Sequence, residues 1–315
     1  MKMKLFYTLL ACLLTFGASA QQNLQYSQYI FNGMAINPAY TGSKNTINLN
    51  AFYRYQWTGV EGAPTIKSFT VDGAPTHEQL GLGLELTQYK AGAYSKFSAY
   101  ANAAAKLPVS EDGVLSLGVA AGLVQHTIDG TQFGISNDPS IPPGKDNTIK
   151  PNVKLGLYYH TQRFYAGVST SELVQYEEQM QIDQETNFYF TSGYVFDLGT
   201  FVKVKPSVLL KDNFKAPTSI DLNTFVLLDD KLWLGGSYRT SANIFYDSPA
   251  DMALYKRTAF AFIAELQVQK TLRIGYAYDK MLNDMRGFHT HEVSVGYNFA
   301  NPRKEASKII SPQYF

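Results

Sequence analysis

The chain has 315 residues, of which 17% are charged and 14% aromatic, including 22 Tyr and 20 Phe. Its formal net charge of +1 gives no basic footprint for a nucleic-acid partner. The aromatic load is high for a soluble enzyme and ordinary for a barrel whose Tyr and Phe meet lipid headgroups. A mean hydropathy of −0.17 does not oppose that reading, because half of every barrel strand faces water.

The first twenty residues read as a secretory signal. Lys2 and Lys4 form a basic start, Leu5 to Phe16 an apolar core too short to span, and Ala18-Ser19-Ala20 a small-x-small cleavage site before Gln21. Without Lys2 and Lys4 the chain keeps 25 basic against 26 acidic groups. Leu9-Leu10-Ala11-Cys12 has the look of a lipoprotein cleavage box, against which stands the short apolar stretch ahead of Cys12. Cleavage after Ala20 would leave no cysteine and therefore no disulfide. No run of 18 apolar residues follows, so any membrane span must be made of strands.

Residues 21–44 have no sustained period, and Asn37-Pro38 and Thr41-Gly42 are turn signals. They are expected to form a periplasmic leader or a short plug entering a barrel. From Thr46 to Pro64 the pattern changes. Ile47, Leu49, Ala51, Tyr53, Tyr55 and Trp57 alternate with Asn48, Asn50, Phe52, Arg54 and Gln56, giving a strand with a greasy and a wet side. Alternating segments follow at 65–74, 79–90, 94–107, 114–129, 151–160, 163–171, 187–198, 201–211, 218–228, 231–241, 257–269, 272–280 and 289–299.

That makes fourteen strands, an even number as in bacterial outer-membrane barrels. Two-residue links at 161–162, 199–200, 229–230 and 270–271 alternate with long ones at 130–149, 172–186, 242–256 and 281–288. Short turns on one rim and long loops on the other are how such barrels are built. The expected fold is all-β, a 14-stranded antiparallel transmembrane barrel over 45–299, with a plug-like segment at 21–44 and a tail at 300–315. No helix-period segment of useful length follows residue 45, which excludes doubly wound and (β/α)8 folds.

Arg54, Glu85, Lys203, Lys205, Asp221, Arg239, Glu265, Arg273, Asp279 and Glu292 fall on the wet parity of their strands. A charge facing lipid at mid-depth costs about 2–4 kcal/mol, so these side chains are expected in the lumen. They either pair and fill it or line a surface for a ligand or polypeptide. Both signs are present, unlike the single charge ring of an ion-selective pore. Arg54, Gln56, Arg239, Asp279 and Glu292 are expected to form a polar cluster on the periplasmic half.

Chemistry finds little support. His289 and His291 share a strand face, but no third metal ligand is indicated. The run GLGLE at 81–85 is strand glycine with no helix after it, and a GxSxG elbow is missing. Asp138 to Asp146 (DPSIPPGKD) lacks the spaced carboxylates of a calcium loop and reads as a rigid surface loop.

Several motifs together resemble the PorP/SprF family. They are Tyr26-Ser27-Gln28-Tyr29, Asn37-Pro38-Ala39-Tyr40, and Tyr53-Arg54-Tyr55-Gln56-Trp57 with Gly62-Ala63-Pro64. Later pieces are Gly193-Tyr194, Pro206-Ser207, Leu210-Lys211, Leu232-Trp233-Leu234-Gly235, Tyr238-Arg239, Gly275-Tyr276-Ala277-Tyr278-Asp279, His291-Glu292 and Gly296-Tyr297. The resemblance covers essentially the whole mature chain. It implies an outer-membrane component of type IX secretion and gliding, which contacts periplasmic apparatus proteins or docks the C-terminal domain of one large adhesin. It implies no cofactor and no catalytic residues. Asn37-Pro38-Ala39 is also similar to the N-terminal plug of FadL-like barrels, which would imply transport of a small hydrophobic solute instead. The tail Asn301–Phe315 departs from the pattern and leaves Phe299 and Phe315 as rival terminal aromatics for assembly.

Overall fold

The computed structural model describes residues 26–44, 46–74, 79–133, 142–175, 185–245, 258–269, 271–282 and 287–299. The signal sequence with Cys12, the tail 300–315 and the first part of the Pro-rich loop, Asp138 included, lie outside the described residues. The strands of the first half are β1 (Ile47–Tyr55), β2 (Thr65–Gly73), β3 (Leu80–Ala91), β4 (Tyr94–Pro108), β5 (Val114–Asp129), β6 (Lys145–His160) and β7 (Phe164–Ser171). Those of the second half are β8 (Asn187–Tyr194), β9 (Phe196–Asp197), β10 (Val202–Asp212), β11 (Thr218–Leu228), β12 (Leu232–Ala242), β13 (Ala259–Gln267), β14 (Leu272–Met281) and β15 (His289–Phe299).

Neighbours in sequence pair antiparallel, and β15 pairs back onto β1, from Ile47 opposite Phe299 to Tyr55 opposite His291. The sheet therefore closes on itself, with neither its first nor its last strand left unpaired. β9 continues β8 in the same register against β10, so the closed barrel has 14 staves. The break at Val195 lies across from Pro206 and its neighbour Lys205, where the proline has no N–H for the ladder.

Parity sorts the two faces as the alternation predicts. Leu80, Leu82, Leu84, Leu117, Val119 and Leu123 are exposed on the outside, while Asn48, Asn50, Phe52 and Arg54 are buried on the inside. Val119→Arg, on that greasy surface of β5, should destabilise the barrel by about 2–4 kcal/mol in unfolding from lipid vesicles. An unchanged unfolding midpoint would contradict a lipid-facing Val119.

The short links 161–163, 229–231 and 268–271 lie at one end, with the start of β1 and the close of β15. The links 56–64, 130–144, 172–186 and 243–258 lie at the other, where only 92–93 is tight. In the 229–231 turn Asp229 and Asp230 both take φ of 50°, the left-handed region that Asp tolerates.

Two boundaries differ from expectation. β1 stops at Tyr55, and Trp57 turns out of the strand at φ 53°. β6 begins at Lys145, six residues before the expected 151, because β5 pairs with it as far as Asp129 opposite Lys145. Lys145 and Asp146, expected in a Pro-rich loop, belong to the strand, and Pro151 is accommodated within it.

Candidate functional site: the N-terminal segment inside the barrel

Residues 26–44 run through three short 3-10 turns, Ser27–Phe31, Gly33–Ala35 and Pro38–Tyr40. Too short to bury a face of their own, they pack against the inward faces of β4, β5, β6, β13, β14 and β15. Ile30 and Phe31 pack with Phe225, Leu227, Trp233 and Ile263, a greasy corner of the lumen near the short-turn end. Tyr26 stacks on Phe52 with centroids 5.7 Å apart, which explains the one apolar residue on the wet side of β1. Burial raises the Tyr26 hydroxyl above its usual pKa, with the charge of Glu85 acting the same way. Burial also holds the Lys44 ammonium well below its usual range; Arg273 pushes it further down and Asp72 opposes.

The Asn37-Pro38-Ala39-Tyr40 motif is buried throughout. Asn37 caps the last turn by accepting from Ala39 N–H at 2.9 Å, and Pro38 takes the first helical position, where no N–H is needed. The Asn37 amide also donates to the carbonyls of Leu157 on β6 and Val168 on β7, at 3.0 and 3.3 Å. The wall is cut back to admit this turn. A Cβ on Gly118 would lie 2.1 Å from Ala39 N, and one on Gly156 2.0 Å from Asn37 Oδ1.

At the segment's other end stands an ion cluster on the closing strand pair. Arg54 bonds Asp279 at 2.7 Å and Glu292 at 2.9 Å, with all three side chains at or below 6% exposure. Glu292 accepts the N–H groups of Ser27 and Gln28 at 3.0 and 2.9 Å, one on each carboxylate oxygen. Ser27 Oγ donates to Asp279 at 2.5 Å, and Ser294 Oγ donates to the Gln28 side-chain oxygen at 2.6 Å. The single cation thus balances one of two carboxylates, and segment N–H and O–H groups solvate the rest.

Of the expected cluster, Arg54, Asp279 and Glu292 come together. Arg239 sits nearby in a bidentate pair with Asp221, at 3.0 and 3.2 Å, and its charge reaches Asp279. Gln56 does not join. It lies past the end of β1, where its N–H donates to Pro64 carbonyl at 2.9 Å. The cluster also occupies the half toward the long links, not the half beside the short turns, because Arg54 and Asp279 fall near the ends of β1 and β14 and Glu292 near the start of β15.

Other inward charges pair within the lumen. Glu85 meets Lys154 at 2.9 Å, Glu265 meets Arg273 at 3.1 Å, and Lys96 meets Glu172. Lys205 lies over the Trp233 ring at 4.4 Å. Lys203, expected inside, pairs with Asp230 at the short-turn rim at 2.7 Å. Lys96 and Lys154 were not among the expected inward charges, though two steps back from Ser98 and two on from Asn152 the same parity reaches them. His289 and His291 face outward and bond Tyr278 and Tyr276 at 2.5 and 2.7 Å; no three-residue metal cluster occurs among the described residues.

A closed antiparallel barrel, greasy outside and ion-paired within, with short turns at one end and long links at the other, is an outer-membrane protein. The model of the type IX secretion system membrane protein PorP/SprF matches residues 18–297. The chain belongs to that family. No curated protein matches it. Among solved structures, the CymD monoaromatic hydrocarbon channel is similar at TM-score 0.54 and 11% identity, over 86% of this chain and 93% of that one. That likeness shows a shared fold. The Acinetobacter baumannii outer membrane protein Omp33 matches at TM-score 0.46 and 12% identity over 82% of this chain and 100% of that one. A Pseudomonas aeruginosa FadL homologue matches at 0.46 and 9%, over 81% and 89%.

Proposed function

We propose that this protein is a non-enzymatic, plugged barrel that holds polypeptide partners of type IX secretion and gliding at the outer membrane. The partners are apparatus proteins or the C-terminal domain of a cognate secreted adhesin. The observation that supports the reading is the N-terminal segment seated in the lumen. Residues 26–44 bond to β1, β2, β6, β7, β11, β14 and β15, which leaves the barrel's rims and links, not a bore, for work. In this reading residues 26–44 are the plug, and the bilayer and protein partners are what the molecule contacts.

Purification of the membrane-embedded protein after mild chemical cross-linking tests this. Secretion-apparatus proteins or a large adhesin should come with it in defined stoichiometry. A barrel that emerges alone with a bound apolar solute would overturn the reading in favour of a FadL-like transporter.

A further inference from the structure

β5 and β6 are 16 residues each, whereas β7 and β8 are 8. At about 3.3 Å per residue and a tilt near 40°, a 16-residue strand rises about 40 Å, well beyond the ~25 Å apolar band of such barrels. The outward side chains mark where the hairpin leaves lipid. Leu117, Val119 and Leu123 give way to Gln125, Thr127 and Asp129, and on β6 Leu157, Leu155 and Ile149 give way to Asn147 and Lys145. Gln125 and Thr127 bond Asn147, and Lys145 faces Asp129 at 3.7 Å. The tip therefore stands in water at the long-link end, which outer-membrane barrels turn outward.

β7 covers only the lower part of β6. Their ladder runs from His160 to Leu155, and a last bond joins Leu173 N–H to Val153 carbonyl at 3.1 Å. The direction of the groups above follows from the tip. Gly130 N–H donates to Gly144 carbonyl at 2.9 Å, so Asp146 and Thr148 point their backbone groups at β5. Lys145, Asn147 and Ile149 point theirs the other way, and Val153, on the same parity, confirms it. Among the described residues no strand pairs with that edge. At the next position of this parity Pro151 has no N–H to offer, so donors on the edge begin at Ile149, the last apolar residue of the outward row.

We infer that the edge of β6 at Lys145, Asn147 and Ile149 takes an added strand from an extended segment of a secreted polypeptide. An alternating row of N–H and C=O groups is matched by another extended backbone and by no other common ligand. The edge faces outward, so the exported partner fits and a periplasmic one does not. The inference rests on the reading of the barrel as a holder of polypeptides.

The test places a photo-reactive side chain at Lys145 in native envelopes. It should cross-link the exported partner, and amide exchange at Asn147 and Ile149 should slow at least about tenfold in that complex. Asn147→Pro with Ile149→Pro removes two edge donors and no bond to β5, and should cut the cross-link about tenfold. Asn147→Ala with Ile149→Ala should leave it unchanged. Equal cross-linking by the proline and alanine variants overturns the edge and leaves the proposed function standing, as does protection already present in the lone protein or a cross-link to residues 176–184 or a second copy. Should the proline variant fail to fold, amide exchange in the wild-type complex decides. A chain that neither cross-links nor co-purifies with any exported or apparatus protein removes both.

Discussion

Gly118→Val should open the lumen. The new Cβ would lie 2.1 Å from Ala39 N and 2.4 Å from its Cα, both backbone atoms that cannot swing aside. The wall is a continuous β5 ladder paired on both sides, so the segment must give way. Overpacking of this kind costs about 1–3 kcal/mol, enough to displace a turn held by a few hydrogen bonds. In planar bilayers the variant should conduct where the parent chain is silent, and amide exchange at residues 39–41 should rise. Unchanged conductance together with unchanged exchange would show that residues 37–41 do not close the bore.

Arg54→Met should cost more. It strands Asp279 and Glu292 in the lumen with no directly bonded cation, and removing one side of a buried pair typically costs about 3–5 kcal/mol. Denaturant unfolding in detergent should show a midpoint shift of that order. Adding Glu292→Gln should recover part of it, since the amide oxygen still accepts one segment N–H and one uncompensated charge is gone. No recovery in the double variant would mean that Arg54 acts through packing alone.

Much of this was legible in the chain because a strand's period of two is unforgiving. Leu80, Leu82 and Leu84 on one parity and Arg54, Asp279 and Glu292 on the other fixed which surface met lipid. Parity says nothing about height along the barrel axis. That is why Arg54, Asp279 and Glu292 were placed at the wrong end, and why Gln56, one strand step beyond Arg54, was grouped with them although β1 ends between the two. The partners of Ser27 and Gln28 were not legible at all. Their carboxylate partners Asp279 and Glu292 lie more than 250 residues away in sequence, and an aperiodic segment carries no signal of what it touches.

Arg54 and Glu292 face each other across the first and last strands of the barrel. The same Glu292 receives Ser27 and Gln28, among the earliest described residues of the chain. Those two amides have no carboxylate to meet until the C-terminal hairpin arrives. The N-terminal segment therefore completes its hydrogen bonding only in a molecule whose final stave is in place.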